Sequence, residues 1–264
     1  MDSEIKLRLL SFFLILVLVS IIEYIRPKRQ LKANKSRRWM NNFSLVVVSS
    51  FAAKIIVPFT AASTAVYAQE QGLGLFNTML LPNYLVFVLA LVLLDLIIYI
   101  QHVAFHHIPW LWRLHKVHHI DQDIDVSTGV RFHPIEIILS VLIKCSAVLL
   151  LGIPVLAVIV FEILLNATAM FNHGNIRLPY KVDKYLRWVL VTPDMHRVHH
   201  SVIVKETNSN FGFNLPWWDR VFKTYKPQPE NGHLHMQIGL KAYQDELKMN
   251  PGKLLLIPLQ GNKK

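Results

Sequence analysis

Most of the thirteen histidines in this 264-residue chain fall in four short runs. His102, His106 and His107 lie in HVAFHH, His115, His118 and His119 in HKVHH, His173 in NHGN, and His196, His199 and His200 in HRVHH. Neutral imidazole is the commonest metal ligand, and crowding imidazoles beside apolar segments is costly unless something binds them. The spacing therefore points to metal chemistry. If an H-x-x-H-H run is helical, its first and last histidines stand at i and i+4 on one face, and the middle one points about 100° away. The outer pair can face one ion and the middle histidine a second. The two H-x-x-H-H runs and the His102–His106 pair supply His102, His106, His115, His118, His119, His196, His199 and His200. That is too many imidazoles for one ion, so two metals are implied.

The residues around these runs extend the pattern. On a helix of about 100° per residue, Asp95, Tyr99, His102 and His106 fall at about 0, 40, 340 and 20° and make one stripe. Asp95 and Tyr99 are candidates to stand behind the ligands, Asp95 as acceptor for a ligand N–H; the other reading pairs Asp95 with a neighbouring helix. Glu162, Asn166 and His173 form a second stripe, at about 0, 40 and 20° on a continued helix. His173 is either a ninth ligand or a helix-end residue bonded to backbone beside Gly174, with Asn172 and Asn175 as supporting residues. His133 precedes Pro134 in RFHP, so its backbone is extended, and it is a weaker candidate for a ligand or for a residue behind one. His107, His233 and His235 match no spacing and are read as surface residues. The acidic run DQDID, Asp121 to Asp125, lacks the glycine and distal glutamate of a calcium loop and is read as a solvated loop.

The elements that must hold these side chains are membrane helices. Hydrophobic residues make up 53% of the chain and mean hydropathy is +0.35, which indicates a bilayer-embedded protein. The single cysteine, Cys145, excludes a disulfide framework or a cysteine-based zinc site within the chain. A net charge of +11 is assigned to topology and anionic lipid rather than to nucleic acid. A first span runs from about Leu9 to Ile25 and is read as a retained helix, because no small-residue cleavage site follows it. The segment after it, RPKRQLKANKSRR, carries seven basic residues and no acidic one, which marks the cytoplasmic side. A second span covers about Phe43 to Tyr67, and a third runs from about Tyr84 into the first histidine run. The stretch Ile135 to Phe171, broken by Gly152 and Pro154, is read as a hairpin that either crosses or re-enters. Fourteen Lys or Arg from Arg177 onward place the C-terminal region in the cytoplasm. All four runs then share one membrane face.

Taken together, Asp95–His106 (DLIIYIQHVAFH), HKVHH, RFHP, NHGN, HRVHH and the following NFGFNLPWWDRVFKTY resemble the fatty acid hydroxylase and sterol desaturase superfamily, over about Leu81 to Tyr225. The resemblance implies an all-α integral membrane protein with four to five transmembrane or re-entrant helices and a cytoplasmic helical cap of histidine boxes. It divides the chain into membrane helices over 1–80, a catalytic domain over 81–226 and a basic cytoplasmic tail over 227–264. It implies an iron pair that activates O₂ and attacks an unactivated C–H bond of a lipid chain or sterol, by hydroxylation or desaturation. The implied ligands are His102, His106, His115, His118, His119, His133, His173, His196, His199 and His200. Imidazole suits iron and zinc alike, so a non-redox zinc protein or transporter is the competing reading. Trp110, Trp112, Trp217 and Trp218 are expected as interfacial anchors. No haem-binding segment is recognisable in the sequence, so electrons are expected from a separate cytochrome or ferredoxin. Lys223, Lys226, Lys241 and Lys248 could dock such a donor or simply set topology.

Overall fold

The computed structural model describes residues 2–245 and 249–261. Among them there is no β-strand, only isolated bridges from Pro27 to Ile176 and from Ser201 to Ile238. The helices begin with α1 (Asp2–Ile25), α2 (Lys35–Ile56), α3 (Ala61–Glu70) and the one-turn α4 (Leu75–Thr78). They continue with α5 (Asn83–His107), α6 (Pro109–His119), α7 (Pro134–Leu151), α8 (Val155–Asn172), α9 (Tyr180–Leu186) and α10 (Pro193–His199). Five helical stretches are long and apolar enough to cross a membrane: Glu4–Ile25, Lys35–Thr78, Asn83–His107, Pro134–Leu151 and Val155–Asn172.

Local chemistry sets the breaks. The expected second span is interrupted after Ile56, where Pro58 cannot donate to a helix, and a new helix starts at Thr60 with a capping box shared with Ser63. The hairpin of α7 and α8 turns at Gly152, whose φ of 67° is left-handed, and Pro154 then fixes the start of α8. Each arm has 18 residues, about 27 Å of helix rise and close to the thickness of hydrocarbon. A Cβ at Gly152 would come within 2.9 Å of Leu73 O, so the tip of the hairpin rests against the α3–α4 turn.

The core of the spans is built from Ala90, Leu94, Ile98, Val148, Ala157 and Phe161, small and large residues interleaved between α5, α7 and α8. Helix α1 exposes Leu10, Phe13 and Leu14 along its outer side, as a lipid-facing helix does. At the histidine end, Ile108 and Pro109 fold the chain from α5 into α6, with Pro109 at the first helical position, where its missing N–H costs nothing.

Two expectations about this end are corrected. The DQDID segment is buried: Arg38 of α2 donates Nε–H to Asp121 at 2.6 Å and Nη1–H to Asp125 at 2.7 Å, and Asp123 accepts Lys32 and Ala33 N–H. Burial alone would raise the Asp121 carboxyl, but Arg38 and Arg131 hold it at about 2. His233 is likewise buried, 3.9 Å from Asp194, while His107 and His235 are exposed. The described part of 227–261 packs on the body of the protein. Leu240, Tyr243, Leu254 and Ile257 join Leu45, Trp112 and Val117 in one cluster, and Lys116 donates to Gln260 O and Gly261 O.

Candidate metal centre

Nine histidines converge into two adjoining groups. His102, His106, His115, His119 and His199 form one, and His118, His173, His196 and His200 the other. Within each group the candidate ligand atoms lie within 4.8 Å of one another, and all nine residues are buried. Helical phase explains the division. In HKVHH the outer pair His115 and His119 enters the first group and His118 the second; in HRVHH the outer pair His196 and His200 enters the second and His199 the first. The two runs face each other, and each lends its middle histidine to the group its partner dominates.

The ring tautomers make these groups fit for cations. A backbone carbonyl can only accept, so each ring nitrogen held by one carries the proton. Nδ1–H of His102 donates to Phe211 O at 2.7 Å, of His118 to Arg131 O at 3.1 Å, of His173 to Ala169 O at 2.7 Å, and of His199 to Ser209 O at 2.7 Å. Nδ1–H of His115 donates to the Glu136 carboxylate at 2.6 Å. Nε2 of each ring therefore presents a lone pair inward. Two such lone pairs meet in each group: His102 and His115 Nε2 are 3.2 Å apart, and His118 and His173 Nε2 are 3.0 Å apart. Burial holds His118 and His173 neutral, so no proton is available to bridge that pair. Nε2 of His106 and His199 and both ring nitrogens of His119 are buried with no hydrogen-bond partner among the described residues. Facing lone pairs and orphaned imidazole nitrogens are unfavourable in a dry site unless a cation accepts them, so the residues present fit two metal ions.

Electrostatics keeps at least six of these rings neutral and ready to ligate. Burial pushes His118, His119, His196 and His200 well below the ordinary imidazole range, and neighbouring imidazoles add to the effect. Burial also takes His173 down to about 4 and His199 to about 3, against the opposing pull of their carbonyl acceptors. Imidazole suits iron, zinc and copper alike, so the donor set favours a transition metal over calcium or magnesium.

The expected supporting residues are placed differently. Asp95 accepts no ligand N–H; it receives Asn214 N at 3.3 Å, Asn214 Nδ2 at 2.8 Å, Leu215 N at 3.2 Å and Trp218 Nε1 at 2.8 Å. The physical reason is distance: seven residues separate it from His102, about 10 Å of helix rise. Tyr99 meets Thr224 Oγ1 at 2.9 Å, and Asn172 donates to Phe213 O at 3.1 Å. Asn175 pairs with the backbone of Arg29. Of these, Asp95 and Asn172 secure the loop from Asn208 to Pro216, and that loop supplies the acceptors for His102, His106 and His199. Asp219 completes the support by accepting Phe211 N and Gly212 N, at 2.8 and 2.9 Å. A Cβ at Gly212 would come within 2.9 Å of the Asp219 carboxylate, so this contact requires glycine.

His133 lies outside both groups. Its Nδ1 accepts Ile135 N at 3.2 Å as the N-cap of α7, and its Nε2 meets Leu255 O at 3.3 Å, so both nitrogens are occupied. Among the tryptophans, Trp110 and Trp217 are exposed, whereas Trp112 is buried with its ring centroid 5.0 Å from that of His106. Glu162 does not converge on the histidines either; it is paired with Lys144 and Arg8. The supporting residue that spacing alone misses is Glu136. It is the only carboxylate hydrogen-bonded to any of the nine histidines among the described residues. Its signal is position: Pro134 opens α7, which puts Glu136 in the first helical turn, directly after RFHP.

A cavity of about 510 Å³ reaches the first group from the membrane side. His102, His115 and Glu136 line its inner end, beside Phe132 and Phe213. Its walls come from every long helix, with Leu9 and Phe12 of α1, Val46 of α2, Ile98 of α5, Ile137 of α7 and Leu165 of α8. Arg8, Lys144 and Glu162 line it as well.

Membrane helices that deliver two groups of buried histidines to the end of an apolar cavity define a membrane-bound histidine-box metalloprotein. The fatty acid hydroxylase family model matches residues 87–224, more than half of the chain, and the protein belongs to that family. Ornithine lipid hydroxylase OlsE from Rhizobium tropici is 30% identical over 142 residues, 54% of this chain and 42% of that protein. Alkylglycerol monooxygenase from Xenopus tropicalis is 27% identical over 49% of this chain and 28% of its own length. Human cholesterol 25-hydroxylase is 24% identical over 56% and 53% respectively. The chain thus spans about half or less of the length of these relatives. No solved structure matches it.

Proposed function

We propose that this protein hydroxylates the alkyl part of a membrane lipid, using O₂ and one iron ion in each histidine group. The observation that carries the reading is the cavity, whose apolar walls lead from the membrane-spanning helices to His102 and His115. Three relatives named as hydroxylases or monooxygenases of lipids and sterols support it. Bound iron would supply O₂ activation and C–H oxidation, with one oxygen atom entering the substrate and the other leaving as water after two electrons and two protons arrive.

The residues of this chain perform the remaining work. Phe132 and Phe213 hold the alkyl segment beside the histidines and exclude water there. Glu136, bonded to His115 at the same end, fixes that ring's tautomer and offers a carboxylate oxygen, Oε2, with no hydrogen-bond partner among the described residues. The carbonyls of Phe211, Ser209 and Arg131 orient three further rings. The basic segment from Arg26 to Arg38 supports a cytoplasmic position for the histidines and the C-terminal region, where a separate cytochrome or ferredoxin would reach them. Lys223 and Lys241 are exposed for such docking, Lys226 is engaged by Glu206 and Glu230, and Lys248 lies outside the described residues.

Metal analysis of the purified protein is expected to give close to two iron atoms per chain. Lipidomics of cells with and without the gene is expected to show a lipid heavier by one oxygen, formed only in air. A protein that is fully active without iron, or that is zinc-loaded and yields no oxygenated lipid in any reconstitution, overturns the proposal.

A further inference from the structure

Ionised side chains are costly in an apolar cavity within the membrane, and they are retained there for pairing or for function. Here Glu162 of α8 is paired with both Lys144 of α7 and Arg8 of α1, and all three line the cavity. They lie at the end away from the metal centre. Lys144 is eight residues beyond Glu136 on α7, about 12 Å of helix rise, and Glu162 is seven residues from Ala169 on α8, about 10 Å. Pairing among the three leaves hydrogen-bond donors in excess. An ammonium offers three N–H and a guanidinium five, against one carboxylate lining this end. Arg8 Nε is buried with no hydrogen-bond partner among the described residues, and its Nη2 meets Glu4 at 2.7 Å, a residue that does not line the cavity. The cavity therefore ends in two cations and one anion, and mostly apolar side chains, with Ser140 and Gln101 among them, line the stretch between these charges and the histidines.

We propose that Arg8, Lys144 and Glu162 form the seat for the polar group of the substrate, an oxyanion such as a carboxylate or phosphate, with the alkyl chain running from there to His102 and His115. Arg8 and Lys144 donate to the oxyanion, and Glu162 holds the two cations together and competes for them. An amphiphile seated this way presents to the metal centre a carbon about 12 Å from its polar group, so oxidation falls on the remote part of the chain. Arg8 lies outside the segment matched by the family, on a helix that walls the cavity. Selection of the substrate is thereby assigned to α1 as well as to the family domain. The inference rests on the proposed lipid hydroxylation.

Saturable binding of four labelled probes, palmitate, hexadecyl phosphate, hexadecanol and hexadecane, to the purified iron-loaded protein in detergent tests it. Palmitate, hexadecyl phosphate or both are expected to bind on the order of tenfold more tightly than the alcohol and the alkane, as charge-assisted hydrogen bonds allow. Which of the two anions leads distinguishes a free fatty acid from a phosphate-bearing lipid as the source of the oxyanion. Lys144→Met and Arg8→Met should abolish the preference. Glu162→Gln should strengthen it, because the competing anion is gone while both cations remain. Opposite signs from residues in one cluster cannot arise from misfolding. Equal binding of all four probes, no saturable binding of any, or a loss of preference in Glu162→Gln overturns the seat. Binding needs no turnover, so the two proposals fail separately: selective binding without an oxygenated product sinks the hydroxylase, and hydroxylation without selectivity sinks the seat alone.

Discussion

Glu136 offers the sharpest test of how the metal centre is held. All nine converging side chains are imidazoles, and among the described residues the one carboxylate hydrogen-bonded to any of them meets His115 Nδ1 at 2.6 Å. Glu136→Ala removes the acceptor, leaves the His115 N–H buried and unpaired, and frees the ring to turn or to change tautomer. Loss of such an outer partner typically lowers metal affinity by about 10 to 100-fold, which is about 1.4 to 2.7 kcal/mol. The effect should fall on the group containing His115 and spare the other, so a chelator should strip one metal of the pair more readily than in the parent protein. Glu136→Gln keeps a neutral acceptor and should recover part of the loss. Chelator competition followed by metal analysis reads both variants, and circular dichroism reports whether each remains folded. If Glu136→Ala retains both metals with unchanged affinity, the assignment of His115 Nε2 as a ligand held by Glu136 is refuted.

Crossing of the middle histidines predicts that His118→Ala weakens the same metal as His173→Ala, while His119→Ala weakens the same one as His199→Ala; pairwise metal competition should sort the four into these sets, and sorting by sequence run instead would refute it. The metal-free protein should lose stability on acidification. His173, held at about 4, and His199, held at about 3, bind fewer protons folded than unfolded, so their contribution is present above the ordinary imidazole value of about 6.5 and is lost as pH falls below it. A melting temperature that stays constant from pH 7 to pH 5 in chelated protein contradicts this. Asp95→Ala orphans four buried donors and should cost about 3 kcal/mol, with activity falling through the displaced 208–216 loop, measured as a drop in melting temperature alongside metal retention. Arg38→Ala leaves Asp121 and Asp125 buried without their partner and should cost about 3 to 5 kcal/mol, enough to abolish recovery of folded protein; near-native stability would show the pair to be dispensable.

What the sequence discloses about such a site depends on how locally the information is stored. The division of H-x-x-H-H between two ions follows from helical phase within five residues, so it is legible as soon as the run is read as a helix. The hairpin is legible for the same reason, because Gly152 and Pro154 interrupt an apolar run too long for one crossing. Glu136 is not legible this way: it meets His115 only because the chain between them turns back, and no periodicity links positions 21 apart. Arg38 is harder still. It stands in a basic block that reads as a topology signal, yet its guanidinium is buried against carboxylates 83 and 87 residues away, which turns an apparently solvated acidic loop into an internal strut.

The groups that orient the rings explain the rest of the gap. Four of the five firmly held Nδ1–H groups end on backbone carbonyls, and every residue carries one, so no residue type marks Phe211, Ser209, Arg131 or Ala169 for the task. What the sequence does record is the set of side chains that fix those carbonyls in place. Asp95, Asn172 and Asp219 hold the 208–216 loop, and they stand out as polar residues in or beside apolar segments. Asp95 is therefore conspicuous in the sequence for a sound reason, but one link removed from the one its position in the histidine stripe suggests: it positions the loop whose carbonyl positions His102. Buried carboxylates in a membrane helix below a metal site can act through backbone they immobilise, and Asp95→Asn separates the two roles. If Asp95 acted on a ligand directly, the amide would impair metal binding first. If it acts through the loop, the Asn214 and Trp218 contacts weaken, and loop mobility should rise while both metals stay bound.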